Sequence, residues 1–130
     1  VQYFYVDFWA SWCEPCLQQM PNIKMAAQLY PEDLVVVLVS MDKESKQWWK
    51  TVKELDLRSH PKDEHPYEIQ NLRAYNDNTG KMQLEVKRLD IRTIPHNYLV
   101  DRTGRIIAKN ISGNLLIDRM KELLKKEGKQ

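Results

Sequence analysis

Two cysteines, Cys13 and Cys16, are the only ones in the 130-residue chain, and they share one Cys-x-x-Cys motif. A spacing of three is nearly one helical turn, so on a helix both sulfurs lie on the same face. There they can close a small disulfide ring or both stay reduced. The attacking species in thiol–disulfide exchange is the thiolate. Pro15 lacks a backbone N–H and suits the first turn of a helix, where that donor would be unpaired anyway. Cys13 therefore falls at or next to a helix N-terminus, where free N–H groups and the helix dipole favour negative charge. Cys16, inside the helix, is expected to be more buried and less acidic. The expected order is attack on a substrate disulfide by Cys13, then resolution of the mixed disulfide by Cys16. Half a zinc site and a structural disulfide are the other uses of such a pair. A Cys-x-x-Cys beside a strand–helix unit favours the redox use.

The elements that must position this pair can be read on either side of it. Val1 to Trp9 is almost continuously apolar, aromatic or β-branched, as a strand buried on both faces requires. Ala10 to Trp12 ends it. A helix is expected from about Glu14 to Leu29, kinked at Pro21, with Met20, Ile23, Ala27 and Tyr30 facing the sheet. Leu34 to Val39 reads as a second buried parallel strand, ended by Ser40-Met41-Asp42 at the sheet edge where ligands approach. Asp42 or Ser45 is expected to cap the next helix, with Trp48, Val52 and Leu55 as its apolar stripe. Trp48-Trp49 reads as core packing rather than a ligand platform.

Arg58 to Pro66 is a polar loop. Tyr67 to Leu72 reads as a short strand, and Asn76-Asp77-Asn78-Thr79-Gly80 as a turn cluster. Lys81 to Leu89 reads as a short helix with Met82, Val86 and Leu89 on one side. Tyr98 to Ala108 reads as a hairpin turned at Asp101-Arg102-Thr103-Gly104, where glycine supplies a positive φ. A last helix begins near Asn114 with Leu116, Met120, Leu123 and Leu124 as its stripe. This pattern gives an α/β fold with a mixed central sheet and helices on both faces.

Composition narrows the functions. One domain, residues 1–130, is expected from the length. A net charge of +2 gives no argument for nucleic acid. No apolar run approaches the ~20 residues of a membrane span. The chain lacks an initiator Met and opens inside a strand, so an upstream segment is expected.

The run Val6-Asp7-Phe8-Trp9-Ala10-Ser11-Trp12-Cys13-x-x-Cys16 resembles the thioredoxin-fold active site. The wider resemblance is to the TlpA/ResA-like thiol–disulfide oxidoreductases of the bacterial extracytoplasmic space. Pro21 falls where such helices carry a proline, Thr93-Ile94-Pro95 matches the cis-proline loop, and Gly113 matches a glycine after the last hairpin. The resemblance implies a thioredoxin fold, and that about 58–90 is a TlpA-like βα insertion. It also implies that the N-terminal strand region of the fold is truncated here.

Site roles follow from it. Asp7 is a charged residue in an apolar strand, and burial would raise its pKa into a range useful for proton transfer. The resemblance implies that it lies beneath Cys16 and accepts its proton. No lysine appears on the neighbouring strand, where thioredoxin has one. A cis bond before Pro95 implies that Ile94 faces Cys13 and offers its backbone to an extended substrate. Trp12 is expected to shield the disulfide and contact substrate. Glu14 and Pro15 tune the couple: a carboxylate beside Cys13 disfavours the thiolate, which makes the disulfide less oxidising. Cys-Glu-Pro-Cys also occurs in ResA-like reductants of apocytochrome c.

His60 and His65 could complete a zinc set with the cysteines, but the gap to them is far longer than in a zinc finger, so no metal is expected. His96 follows Pro95 and bears on the site's protons or caps the loop. The leading expectation is a thiol–disulfide oxidoreductase, reducing, outside the cytoplasm, with no cofactor beyond its own redox-active disulfide. Its partners are protein disulfides or thiols and an upstream thiol electron donor, membrane-bound or not. The alternatives are a reductant dedicated to cytochrome c maturation and a non-catalytic metal- or protein-binding module.

Overall fold

The computed structural model describes residues 3–75 and 81–128. Its strands are β1 (Tyr3–Trp9), β2 (Leu34–Ser40), β3 (Ile69–Arg73), β4 (His96–Asp101) and β5 (Ile106–Lys109). Its helices are α1 (Glu14–Leu29), α2 (Ser45–Glu54), α3 (Lys81–Arg88) and α4 (Gly113–Lys126). The strands form one mixed sheet in the order β3-β2-β1-β4-β5. β1 pairs with β2 and β2 with β3 in parallel, while β4 is antiparallel to both β1 and β5. The strand that leads into the cysteines is thus the middle of the sheet, which explains its apolar sequence.

Alternation along the strands sorts side chains between two cores. Tyr3, Tyr5 and Trp9 of β1 pack with Cys16, Met20 and Ile23 of α1, Val52 of α2, and Leu116, Met120 and Leu124 of α4. Phe8 of β1, Val39 of β2 and Tyr98 of β4 pack on the other face with Val86 of α3. α1, α2 and α4 therefore cover one face and α3 the other.

α1 has the bounds its sequence indicates, and Pro21 lies inside it. The start of α4 crowds α1. A Cβ on Gly113 would sit 2.5 Å from Asn22 Cβ and 2.9 Å from Ile23 N, so only glycine fits there. Ser112 caps α4 by accepting the Leu115 N–H at 3.3 Å. Gly104 has φ +90, as the hairpin turn requires, and the Asp101 carboxylate accepts from Thr103 and Arg105 across that turn.

Several sequence expectations need correction. α2 is capped by neither Asp42 nor Ser45. Its N-cap is Glu44, with no side-chain bond, because Asp42 is engaged elsewhere. β3 begins at Ile69 rather than Tyr67, where pairing with Val36 starts. Val52 is buried, but Leu55 lies beyond the end of α2 and is 38% exposed. Leu89 likewise follows the last residue of α3 and is exposed. Trp48 packs against the core while Trp49 is 41% exposed. The turn cluster 76–80 and the Met82 side chain lie outside the described residues, as do Val1 and Gln2.

Candidate active site

β1 delivers the chain to its C-terminal end at Trp9. The Ala10 carbonyl then accepts the Cys13 N–H at 3.1 Å, closing a turn over Ser11 and Trp12. Cys13 is the N-cap of α1, extended at φ −97 and ψ 97. Its sulfur accepts the Cys16 N–H at 3.3 Å, as a serine or aspartate oxygen does at other helix starts. Pro15 lies in the first turn. A disulfide joins Cys13 and Cys16, with Cα atoms 5.3 Å apart. Cys13 keeps 6% of its surface, and Cys16 none. Glu14 and Pro15 are exposed on the outer side of the turn.

Asp7 sits two residues before Trp9 in β1, opposite Leu38 of β2 and Asn97 of β4. It shares the strand face of Tyr5 and Trp9, which pack in the same core as both cysteines. Its carboxyl is therefore on the side of the sheet that the cysteine helix covers. Burial to 1% exposure pushes its pKa from the ordinary 3.8 up to about 8. The Tyr5 hydroxyl is also raised, by burial first and by the Asp7 charge second. It donates to the Ile111 carbonyl at 2.7 Å.

The Ile94–Pro95 bond is cis. Ile94 is half-buried and packs against both cores. Trp12 follows the Ser11 turn residue and precedes Cys13. It is 70% exposed and stands as a wall between two open cavities. One, of about 230 Å³, is lined by Trp12, Met41, Lys43, Tyr75, Arg92 and Ile94 among others. The second, of about 350 Å³, runs along Trp12, Met41, Asp42, Lys43, Glu44 and Gln47. Trp12 and Ile94 thus share a cavity.

The chain is 26% identical to the thiol-disulfide oxidoreductase ResA of Bacillus thuringiensis over 94% of its own length and 61% of that protein's. It is 27% identical to sporulation thiol-disulfide oxidoreductase A of Bacillus subtilis, over 90% of this chain and 63% of that one. A solved thiol-disulfide oxidoreductase from Bacteroides fragilis superposes with a TM-score of 0.69 at 27% identity, covering 95% of this chain and 82% of the other. A sequence profile described as thioredoxin-like matches residues 2–106. The chain belongs to the thioredoxin-like family. It spans less than two thirds of the length of either Bacillus relative. Its five strands and four helices, counted among the described residues, form the thioredoxin-like fold.

Beside the family's Cys-x-x-Cys lies a group that the sequence did not announce. The Asp42 carboxylate, 3% exposed, accepts the Ser11 hydroxyl at 2.6 Å and the Ser11 N–H at 3.0 Å. The signal was available, since a buried acid at a strand end needs donors, but the two from Ser11 lie 31 residues earlier. Met41, at the sheet edge where the sequence expects ligands, lines the Trp12 cavities; Lys43 and Tyr75 do so without any sequence signal, and Lys43 stands 5.9 Å from the Tyr75 ring centre.

The histidines divide. His96 pairs with the Tyr98 hydroxyl at 2.9 Å. His60 is held by Asp56 at 2.8 Å and Asp63 at 3.2 Å, and packs on Tyr67. His65 lines a cavity of about 820 Å³ with Gln28, Pro31, Ser59 and Tyr67. That cavity is lined by none of the residues of the cysteine turn.

Proposed function

We propose that the chain is a thiol–disulfide oxidoreductase that reduces disulfides of extracytoplasmic proteins through the Cys13–Cys16 couple. The observation that carries the proposal is Cys13 as the N-cap of α1, its sulfur on the Cys16 amide, with Cys16 wholly buried behind it. A thiolate at Cys13 is stabilised there by the amide and the helix dipole. It attacks one sulfur of a substrate disulfide, that bond breaks, and the leaving thiolate takes a proton from solvent. Asp7, on the same side of the sheet, accepts the Cys16 proton. The Cys16 thiolate then attacks Cys13 Sγ, releasing the second substrate thiolate and closing the Cys13–Cys16 disulfide. Two electrons pass to the substrate. An upstream thiol donor, which this reading requires, returns them.

Trp12, Ile94 and Pro95 form the substrate face in this reading, with Met41, Lys43 and Tyr75 extending it. Glu14 and Pro15 tune the couple. The disulfide itself is the only redox group. Residues 58–90, which contribute β3 and α3, are read as the TlpA-like insertion of a single domain. The placement outside the cytoplasm rests on resemblance to ResA. No helix among the described residues is long and apolar enough to cross a membrane. A narrower reading, reduction of apocytochrome c cysteines alone, is favoured by the Cys13-Glu14-Pro15-Cys16 sequence.

The test is to trap the client. Cys16→Ser removes the resolving thiol, so mixed disulfides should accumulate on Cys13 in an extract of oxidised extracytoplasmic proteins. Cys13→Ser should give none. A single cytochrome c adduct supports the narrow reading and many adducts the broad one. Absence of adducts, with stoichiometric zinc in the reduced protein, would replace the enzyme by a binding module.

A further inference from the structure

We propose that Asp42 is a positioning residue for the Cys13 thiolate, acting through the Ser11–Trp12 turn. The proposal rests on the reading of Cys13 as the attacking thiol.

The contacts run in one direction, from the end of β2 to the start of the cysteine turn. Ser40 sits opposite Trp9, so the two parallel strands end level. Met41 N–H donates to the Trp9 carbonyl at 2.7 Å. Asp42 then reaches across. Its Oδ1 accepts the Ser11 hydroxyl, and its Oδ2 accepts the Ser11 N–H. The Ser40 hydroxyl donates to Oδ2 at 2.5 Å and accepts the Asp42 N–H at 2.9 Å. Arg73 secures the far side, donating to the carbonyls of Asp42 at 3.3 Å and Lys43 at 2.9 Å. A buried carboxylate with three donors on it is rigid, because losing any one of them leaves an unsatisfied acceptor.

Ser11 is thereby held at both its N–H and its hydroxyl. One residue, Trp12, separates it from Cys13, whose own N–H is fixed on Ala10. The Cys13 backbone thus has little freedom, and its sulfur stays over the Cys16 amide. Releasing Ser11 lets that sulfur leave the helix N-terminus, where the thiolate is favoured. Positioning therefore predicts a less acidic thiol when Asp42 is removed. A pure charge effect predicts the opposite, since losing a nearby anion makes a thiolate easier to form. The other charged or titratable groups about the turn are Asp7 on the same sheet face, Glu14 beside Cys13, Lys43 and Glu44 after Asp42, and Arg73. All remain in the variants.

Reduced wild-type protein, Ser11→Ala, Asp42→Asn and Asp42→Ala are alkylated with iodoacetamide across pH. Mass spectrometry assigns the label, and circular dichroism gives each unfolding temperature. The label should appear first on Cys13. The alkylation midpoint should move to higher pH in the order Ser11→Ala, Asp42→Asn, Asp42→Ala. A one-unit rise would slow labelling at neutral pH about tenfold. An unmoved or lowered midpoint in a folded variant overturns the proposal. If Asp42→Ala fails to fold, Ser11→Ala decides alone, since it loses one hydroxyl and keeps the N–H bond. A first label on Cys16 in the wild type overturns instead the reading of Cys13 as the attacking thiol.

Discussion

Asp7 Oδ1 and Trp9 Nε1 project from the same face of β1, both buried, and neither finds a hydrogen-bond partner among the described residues. An acceptor and a donor left unsatisfied two residues apart, beside the cysteine helix, mark a place where the fold gives up stability. For Asp7 the cost depends on pH. The protonated carboxyl is tolerated there far better than the charged one.

The first prediction concerns stability. Asp7 has a folded pKa of about 8 against an ordinary 3.8. Between those values the native state holds a proton that the unfolded state has lost. Stability should therefore fall as pH rises from about 4 to about 8, with a slope on the order of 1 kcal/mol per pH unit. Asp7→Asn should flatten the slope and unfold later than wild type at pH 8. Urea titrations at pH 5 and pH 8 check this. Parallel pH profiles for the two proteins would remove Asp7 as the source.

The second concerns order of events. If Asp7 serves Cys16, Asp7→Asn should slow release of substrate from the mixed disulfide more than it slows the first attack. Stopped-flow kinetics on a model disulfide separate the steps. Equal slowing of both, or none, excludes Asp7 from proton transfer.

The third is a potential. Glu14 beside Cys13 opposes the thiolate, so the couple should lie nearer the ~ −270 mV of thioredoxin than the ~ −120 mV of strong oxidants. Glu14→Gln should raise it, and only modestly, because Glu14 is exposed and screened. Equilibration with glutathione measures both proteins. A value above about −150 mV is incompatible with a reductant on this scale.

The fourth tests packing. Gly113→Ala should destabilise by about 1–3 kcal/mol, because its Cβ would meet α1. Asn22→Gly in the same chain should not restore stability fully, since the backbone atoms of Asn22 and Ile23 also lie within 3 Å of that position. Thermal unfolding of the single and double variants decides it.

What was legible in the sequence was local. The bounds of α1 follow from a cysteine cap, an early proline and a 3.6-residue pattern, and β2 from an unbroken apolar run. The burial of Asp7 could be read from its neighbours, although Val6 proved only half-buried. Gly113 was recognisable by resemblance, but its reason, the close approach of α1, needs two helices in place. Asp42 looked like a cap because strand-end acids often are. Of its real donors, Ser40 is two residues away, but Ser11 comes within reach only when β1 and β2 end level. The apolar stripes of α2 and α3 failed at Leu55 and Leu89 because each helix stops one residue earlier, and a periodic pattern carries no stop signal of its own.

The seating of Gly113 against Asn22 and Ile23 sets an order of assembly during synthesis. The helix that carries both cysteines is completed, as packing, only by α4. About a hundred residues separate Cys13 from Gly113, which at ~5–20 residues per second is roughly 5–20 s of translation. For that interval the thiols belong to a helix whose neighbour does not yet exist. An oxidant or a partner thiol present then meets α1 without the helix that packs on it. The complete burial of Cys16 is thus a property of the finished domain, absent from the nascent chain.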